Sequence, residues 1–249
     1  MFTSQDRDQV RQQLLQRADA DERIVAGAEM GAGASDEADR WSDLDLTFGV
    51  ADTASISDVL ADWTGDLDHN LEAIHLFDLP FLSTIYRVFL FPGNLQVDLS
   101  FSPASDFGAL GPKFNLLFGE AVDRPHASPD SADEIFGLAV HHAVRGRICI
   151  ERGRLWQAEY WISPLRDHAL SLACLRQGFE VSHGRGFDRL PPEVLRFFRD
   201  GLIRSLDRGE LLRVLRTGVE GLLRESEVIP EAAARAKPQL RELITHETL

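Results

Sequence analysis

The segment Trp41-Ser42-Asp43-Leu44-Asp45-Leu46-Thr47-Phe48-Gly49-Val50 predicts a β-strand with one apolar face and one acidic face. Side chains of a strand alternate between its two faces, and every second residue advances by about 6.6 Å. The two leucines and the phenylalanine therefore point towards a core. Asp43 and Asp45 project together from the opposite face.

A second segment, Gln96-Val97-Asp98-Leu99-Ser100, repeats this pattern further along the chain. Its apolar residues would face the core, and Asp98 would face the same side as Asp43 and Asp45. Two like charges about 4 Å apart repel by roughly 4 kcal/mol at an effective dielectric constant near 20, so three ionised carboxylates need a cation or must protonate. A hard divalent ion, Mg²⁺, satisfies them, and the three aspartates are its predicted ligands.

A segment rich in glycine and small residues, Gly27–Ser35, precedes the acidic strand. It is predicted to be a turn where a strand passes to a short helix through Ala34–Ala38. Backbone N–H groups at such a turn can bind a phosphate. The combination of this turn with the three carboxylates is what nucleotidyl transfer needs, and Asp98 could also accept a proton as general base. The alternatives are a plain tight turn and a strand edge with solvated acids.

The net charge of −14 is concentrated in the first half of the chain. Residues 1–128 hold 22 acidic and 8 basic residues, whereas the remainder holds 18 of each. Such a surface disfavours a long polynucleotide as substrate and favours a cationic small molecule. The polar N-terminal residues and the lack of an apolar run of about 20 residues predict a cytoplasmic protein without a membrane span.

The two halves of the chain are predicted to fold differently. Mixed strand and helix patterns fill the first 125 residues, and apolar residues at three-or-four spacing indicate helices after residue 130. We therefore predict an α+β fold, with a small mixed-sheet domain over residues 1–125 and an all-helical bundle domain over residues 130–249. Pro164 would either kink a long helix or open a new helix capped by Ser163.

Basic residues lie near the start of the predicted helical half: Arg145, Arg147, Arg152 and Arg154. One interpretation is a helix face turned towards the phosphates, with Arg145 as a nucleotide-binding residue, because guanidinium groups match phosphate geometry. The other is a solvated face paired with the acidic first half. The sequence supports both equally.

Gly31-Ala32, followed by Ser42-Asp43-Leu44-Asp45-Leu46, resembles the glycine-serine, spacer, S-D-x-D signature of the DNA polymerase β-like nucleotidyltransferase superfamily. A small mixed domain followed by a helical bundle is similar to its aminoglycoside and lincosamide nucleotidyltransferase branch. The resemblance implies that Asp43 and Asp45 bind Mg²⁺, that Asp98 completes a catalytic triad, and that the turn at Gly31 and Ala32, with Ser42, binds the nucleotide.

The reaction implied by the resemblance is transfer of AMP from ATP, or of another nucleoside monophosphate, to a hydroxyl of a small molecule. Pyrophosphate would be released, and an antibiotic acceptor would make the chain a resistance enzyme. Ala32 stands where the family usually has serine, and Asp36 where it has a second glycine. Two alternatives remain open: a catalytically degenerate binding or antitoxin-like module, and an enzyme acting on a protein or RNA end, which the negative charge disfavours.

Overall fold

The structure of the chain, a computed structural model, describes residues 1–34, 39–111, 113–125 and 131–245. The chain divides into two compact units, Met1–Ser128 and Pro129–Leu249. The first unit holds a six-stranded mixed sheet with helices, and the described part of the second unit holds helices and no strand. The fold is therefore α+β, as predicted. We propose that the two units are separate domains; the predicted boundary, between the domains at residues 1–125 and 130–249, lies outside the described residues.

The elements of the first unit follow one another along the chain as α1 (Ser4–Asp19), β1 (Ile24–Met30), β2 (Leu44–Val50), α2 (Ile56–Leu71), β3 (Ile74–Phe81), β4 (Thr84–Phe91), β5 (Leu95–Pro103) and β6 (Phe114–Phe118). The strand order in the sheet is β3-β4-β5-β2-β1-β6. Strands β2 and β5 pair in parallel, and the other neighbours pair antiparallel. The two predicted acid-bearing strands are thus adjacent.

The sequence predicted that the strand with the acidic pair begins at Trp41, but the strand begins at Leu44. The Asp39 carboxylate accepts hydrogen bonds from Trp41 N at 2.8 Å and from Ser42 Oγ at 3.1 Å. These local bonds close a turn over residues 39–42 and offer the backbone an alternative to the strand. Asp43 therefore lies just before the strand, and Asp45 lies within it.

The glycine-rich segment is also divided differently from the prediction. Gly27 belongs to β1, where a Cβ atom would lie 2.4 Å from Cε1 of Phe118 on β6, so the ring excludes any larger residue. Within the described part of this segment, Gly31–Ala34 forms the turn, as one turn of 3₁₀ helix. Of the predicted helix through Ala34–Ala38, the structure describes only Ala34.

The core of the first unit lies between the sheet and helices α1 and α2. Phe48, Trp63 and Phe101 form its aromatic centre, with ring centroids 5.1–5.6 Å apart. Leu44 and Leu46 are buried in the same cluster. The apolar face of β2 therefore points into this core, and the opposite face of the sheet carries the acids.

Asp21 fixes the loop after α1 to helix α2. Its buried carboxylate accepts hydrogen bonds from Trp63 Nε1 at 2.9 Å and from Arg23 Nε and Nη2 at 2.8 and 2.9 Å. The hydrogen bonds from Arg23 are the main reason that the pKa of Asp21 lies well below its ordinary value of 3.8. The ionised form is therefore the one that stabilises the fold.

Replacing Asp21 by Asn is expected to lower the free energy of unfolding by about 2 kcal/mol at pH 7, since it leaves buried donors poorly paired. A lowered pKa in the folded state gives stability that is present above pH 3.8 and is lost as the pH falls towards the folded pKa. Urea unfolding of Asp21→Asn and of the parent at several pH values should show the difference shrinking below that pH. The exposed Asp19→Asn is the control, and a pH-independent difference would contradict the account.

The second unit consists of α3 (Ala132–Glu151), α4 (Leu155–Gln177), α5 (Pro192–Arg199), α6 (Arg208–Glu225) and α7 (Pro230–Thr245). Pro164 lies inside the continuous helix α4. Ser163 does not cap a new helix there, because its hydroxyl donates to Glu159 Oε1 at 2.9 Å. Of the two alternatives, a new helix opening at Pro164 is therefore wrong. No helix of the described residues is long and apolar enough to span a bilayer.

Candidate metal centre

The carboxylates of Asp43, Asp45 and Asp98 converge on the side of the sheet that faces away from the core. Each offers an oxygen, and these oxygens all lie within 4.8 Å of one another. Asp43 is exposed, and the other two are partly buried. The three residues predicted as metal ligands are thus brought together.

The parallel pairing of β2 and β5 produces this convergence. Asp45 is the register partner of Asp98, and Leu46 is the partner of Leu99. Partners in adjacent strands share a face, so the two aspartates lie side by side while the leucines enter the core. Asp43 precedes Asp45 by two residues and reaches the same side. Asp106, the other acid on this part of the chain, lies in a separate 3₁₀ turn.

Electrostatics at this group favour a cation. Burial raises the pKa of the Asp98 carboxyl, and the charge of Asp43 raises that pKa further, although a hydrogen bond from Gln96 Nε2 at 3.0 Å opposes the shift. A carboxyl with a raised pKa is held in an environment that penalises its negative charge. A bound divalent ion would remove this penalty. Carboxylate oxygens alone suit Mg²⁺, Mn²⁺ or Ca²⁺ rather than softer metals.

The turn at Gly31 adjoins the acidic group. Gly31 has φ of +62°, and a Cβ atom on it would lie 2.4 Å from Oδ2 of Asp45. A non-glycine residue would therefore suffer both backbone strain and a clash with the carboxylate. The backbone of the turn passes directly beside the candidate metal ligands.

The structure describes the other two predicted nucleotide-binding residues of this unit, Ser42 and Ala32, to different extents. The Ser42 hydroxyl is engaged with Asp39, accepting from its N–H at 3.0 Å and donating to its carboxylate, so it shapes the loop before Asp43. The backbone of Ala32 lies in the 3₁₀ turn. Ser35 and Asp36, like the side chain of Ala32, lie outside what the structure describes.

Two arginines of α1 lie beside the acids, and sequence reasoning did not find them. Arg7 and Arg11 line a cavity of about 290 Å³ together with Asp43 and Asp45. Arg7 Nη1 donates to the carbonyl of Asp39 at 2.6 Å, so it also holds the loop before Asp43. Their spacing of four residues places them on one helix face. That spacing was a visible signal, but nothing in the sequence related that face to the acids.

Arginine 11 is already paired within the first unit. Its Nε and Nη2 donate to the two carboxylate oxygens of Glu29 at 3.1 and 2.8 Å. The bidentate pair neutralises Arg11 and raises its pKa, chiefly through the hydrogen bonds to Glu29. Arg7 donates to the carbonyls of Asp39 and Ser42, and its Nε lies 3.8 Å from the carboxylate of Asp8, which lines the same cavity.

The predicted basic face of the second unit is divided. Arg147 is buried, and it donates to Glu151 Oε1 at 2.7 Å and to the Leu243 carbonyl at 2.8 Å. It therefore serves the helical core and not a phosphate. The Arg145 guanidinium lies 5.8 Å from the ring centroid of Trp161. Its predicted role in nucleotide binding stays a prediction.

Comparison with protein-family models and with curated proteins gives no match. Among solved structures, an aminoglycoside 6-adenyltransferase from Bacillus subtilis is similar over 94% of this chain and 96% of its own, with 13% sequence identity and a TM-score of 0.41. Similarity at this level carries no conclusion about chemistry. The function must be inferred from the residues of the chain itself.

Proposed function

We propose that the chain is a metal-dependent nucleotidyltransferase that moves a nucleoside monophosphate, AMP from ATP, to a hydroxyl of a small molecule. The observation that supports this most directly is the group formed by Asp43, Asp45 and Asp98, with oxygens within 4.8 Å of one another beside the Gly31 turn. A hard-metal site next to a glycine turn suits a polyphosphate substrate.

The residues fit a divalent ion. All three donors are carboxylates, and burial, with a smaller contribution from the charge of Asp43, raises the pKa of Asp98; a bound cation would favour its ionised form. When bound, Mg²⁺ would neutralise the phosphates and polarise the α-phosphorus. Asp43 and Asp45 would hold the ion, with Asp98 as the third ligand.

Residues of the chain would carry out proton transfer and hold the leaving phosphates. The acceptor hydroxyl oxygen attacks the α-phosphorus, the bond from that phosphorus to the bridging oxygen breaks, and pyrophosphate leaves with the electron pair. Asp98, which lies in the carboxylate group, would accept the hydroxyl proton as general base. The Gly31 turn and the Arg7 guanidinium would hold the leaving phosphates by backbone N–H groups and charge.

We propose ATP as the donor and a small hydroxylated compound as the acceptor, hydroxylated antibiotics being one such class. Consumption of ATP would place the reaction in the cytoplasm. The acidic first half, with 22 acidic and 8 basic residues up to residue 128, supports a small acceptor over a nucleic acid.

The proposal is tested by calorimetric titration of the protein with ATP, in the presence of Mg²⁺ and in the presence of a chelator. We expect binding that requires the metal and that weakens about tenfold in Asp43→Asn, since one exposed charged ligand is lost. Pyrophosphate release is then measured with a panel of hydroxylated compounds.

The matched control is Asp68→Asn, which removes one exposed carboxylate from α2, far along the chain from the group. It should leave ATP binding unchanged. Binding that ignores both the metal and Asp43→Asn would contradict the proposal. Metal-dependent binding without turnover on any acceptor would favour the binding-module alternative.

A further inference from the structure

The sheet face that carries the acids also carries an exposed apolar strip. Register partners run in one row across four strands: Phe77 pairs with Val88, Val88 with Asp98, and Asp98 with Asp45. Because register partners share a face, Phe77 and Val88 lie on the acidic side of the sheet.

The opposite face of the same hairpin confirms this assignment. Arg87, one residue before Val88, donates to the Leu60 carbonyl at 3.1 Å and to Thr64 Oγ1 at 2.7 Å, both on α2. Arg87 therefore points towards the helices, and its neighbours point away from them.

Four residues of β3 form this apolar strip and are each 47–58% exposed: Ile74, Phe77, Leu79 and Phe81. Their partners on β4 are Leu90, Val88, Tyr86 and Thr84. No charged residue of either strand lies on this face. Together the four side chains expose a few hundred Å² of apolar surface, the size at which a patch is often functional.

The positions of the Gly31 turn, the carboxylates and the strip across the sheet indicate which substrate the strip would contact. The Gly31 turn touches Asp45 on one side of the carboxylates, and the strip lies on the other side, beyond Asp98. In an in-line displacement the attacking and leaving oxygens lie on opposite sides of the phosphorus. If the leaving phosphates lie at the turn, the acceptor approaches over Asp98 from β4 and β3.

We infer that the strip binds an apolar or aromatic part of the acceptor, next to the hydroxyl that reacts. This inference rests on the proposed function. Strands lie about 4.8 Å apart, so Phe77 lies within about 10 Å of Asp98. Val88, between them, is buried, so the apolar part of the acceptor would contact the exposed side chains of β3. The acceptor class is thus a hydroxyl compound with an apolar or aromatic part next to the reacting hydroxyl. A wholly polar polycation would leave the strip uncovered.

The inference is tested with two uncharged probes that carry the same sugar hydroxyls, phenyl β-D-glucopyranoside and methyl β-D-glucopyranoside. Titrations followed by calorimetry or NMR should show the phenyl compound binding about tenfold more tightly, because its ring buries apolar surface. Leu79→Thr and, independently, Phe77→Thr should remove this preference. Threonine is a good strand residue, and thermal unfolding checks that each variant is folded.

The matched control is Leu76→Thr. Leu76 is 45% exposed on the same strand, but it lies in the bulge between His75 and Phe77 and outside the register. Its replacement should keep the preference for the phenyl compound. No preference in the parent, or an equal loss in Leu76→Thr, overturns the inference.

Mg²⁺–ATP binding and sedimentation are measured on the same samples. If Leu79→Thr loses ATP affinity but keeps its glucoside binding, the strip binds the nucleobase. If Leu79→Thr dissociates an oligomer, the strip binds a second copy of the chain. Either result overturns the inference. If the parent shows the phenyl preference but binds no ATP, the proposed function fails while the apolar site stands. If the parent binds ATP but shows no preference for the phenyl compound, the apolar site fails while the proposed function stands.

Discussion

Asp98→Asn is expected to lower the rate of pyrophosphate release by about 10²–10⁴-fold, the range for loss of a general base. The amide cannot accept the hydroxyl proton, and it is a weaker ligand for a divalent ion. Because Asp43 and Asp45 remain, ATP affinity should fall much less than turnover. Steady-state kinetics with Mg²⁺–ATP separate the two effects, since kcat should carry most of the loss.

The same variant should be more stable than the parent when metal is removed. Burial raises the pKa of Asp98, so the folded state binds this proton more tightly than the unfolded state does. The free energy of unfolding of the parent therefore decreases as the pH rises through that pKa, and the ionised carboxylate destabilises the fold at neutral pH. In a chelator at pH 7, Asp98→Asn should raise the thermal midpoint by a few degrees.

Asp106→Asn is the control for both measurements. Asp106 is the acid that would serve if the strand register differed, and it lies in a 3₁₀ turn outside the carboxylate group. It should leave turnover and the metal-free thermal midpoint near the parent values. Full turnover in Asp98→Asn would remove Asp98 from the mechanism, and equal loss in Asp106→Asn would show that the effect is not specific.

The acidic group could be predicted from the sequence because strand periodicity is local. Leucines alternate with Asp43 and Asp45, and the same alternation surrounds Asp98, so the face of each acid follows from its neighbours. The pairing of Asp45 with Asp98 depends on which strands are adjacent and in what register. Strand periodicity predicts which side of the sheet each acid faces, whereas the parallel register determines the distance between the carboxylates.

Other parts of the site depend on contacts between residues far apart in the chain. Arg7 reaches the carbonyl of Asp39, 32 residues away, and its helix shows only an ordinary polar face in the sequence. Phe77 is joined to Asp98 through Val88, and the bulge before Phe77 shifts the register that periodicity alone would assume. The short strand β6, which covers Gly27 through Phe118, follows a loop and gives no clear alternating pattern.

Gly31→Ala is expected to weaken Mg²⁺–ATP binding roughly 10- to 100-fold, since a lost hydrogen bond to a charged group costs about 1.5–3 kcal/mol and each 1.4 kcal/mol is about tenfold. Alanine at φ of +62° is strained, and its Cβ would lie 2.4 Å from Oδ2 of Asp45. Either the turn or the carboxylate must move, and each of them is proposed to hold part of the substrate. Calorimetry with Mg²⁺–ATP measures the loss, and titration with Mn²⁺ alone shows whether the metal site itself is disturbed.

The control must separate backbone strain from displacement of the site. Gly153 has φ of +64° between α3 and α4, and a Cβ atom there would meet no atom within 4 Å. Gly153→Ala therefore carries the same left-handed backbone cost, about 1–2 kcal/mol, without a clash. It should lower the free energy of unfolding by this backbone strain alone and leave ATP binding unchanged. If Gly31→Ala kept the affinity of the parent, the turn would not hold the phosphates, and that part of the proposal would fail.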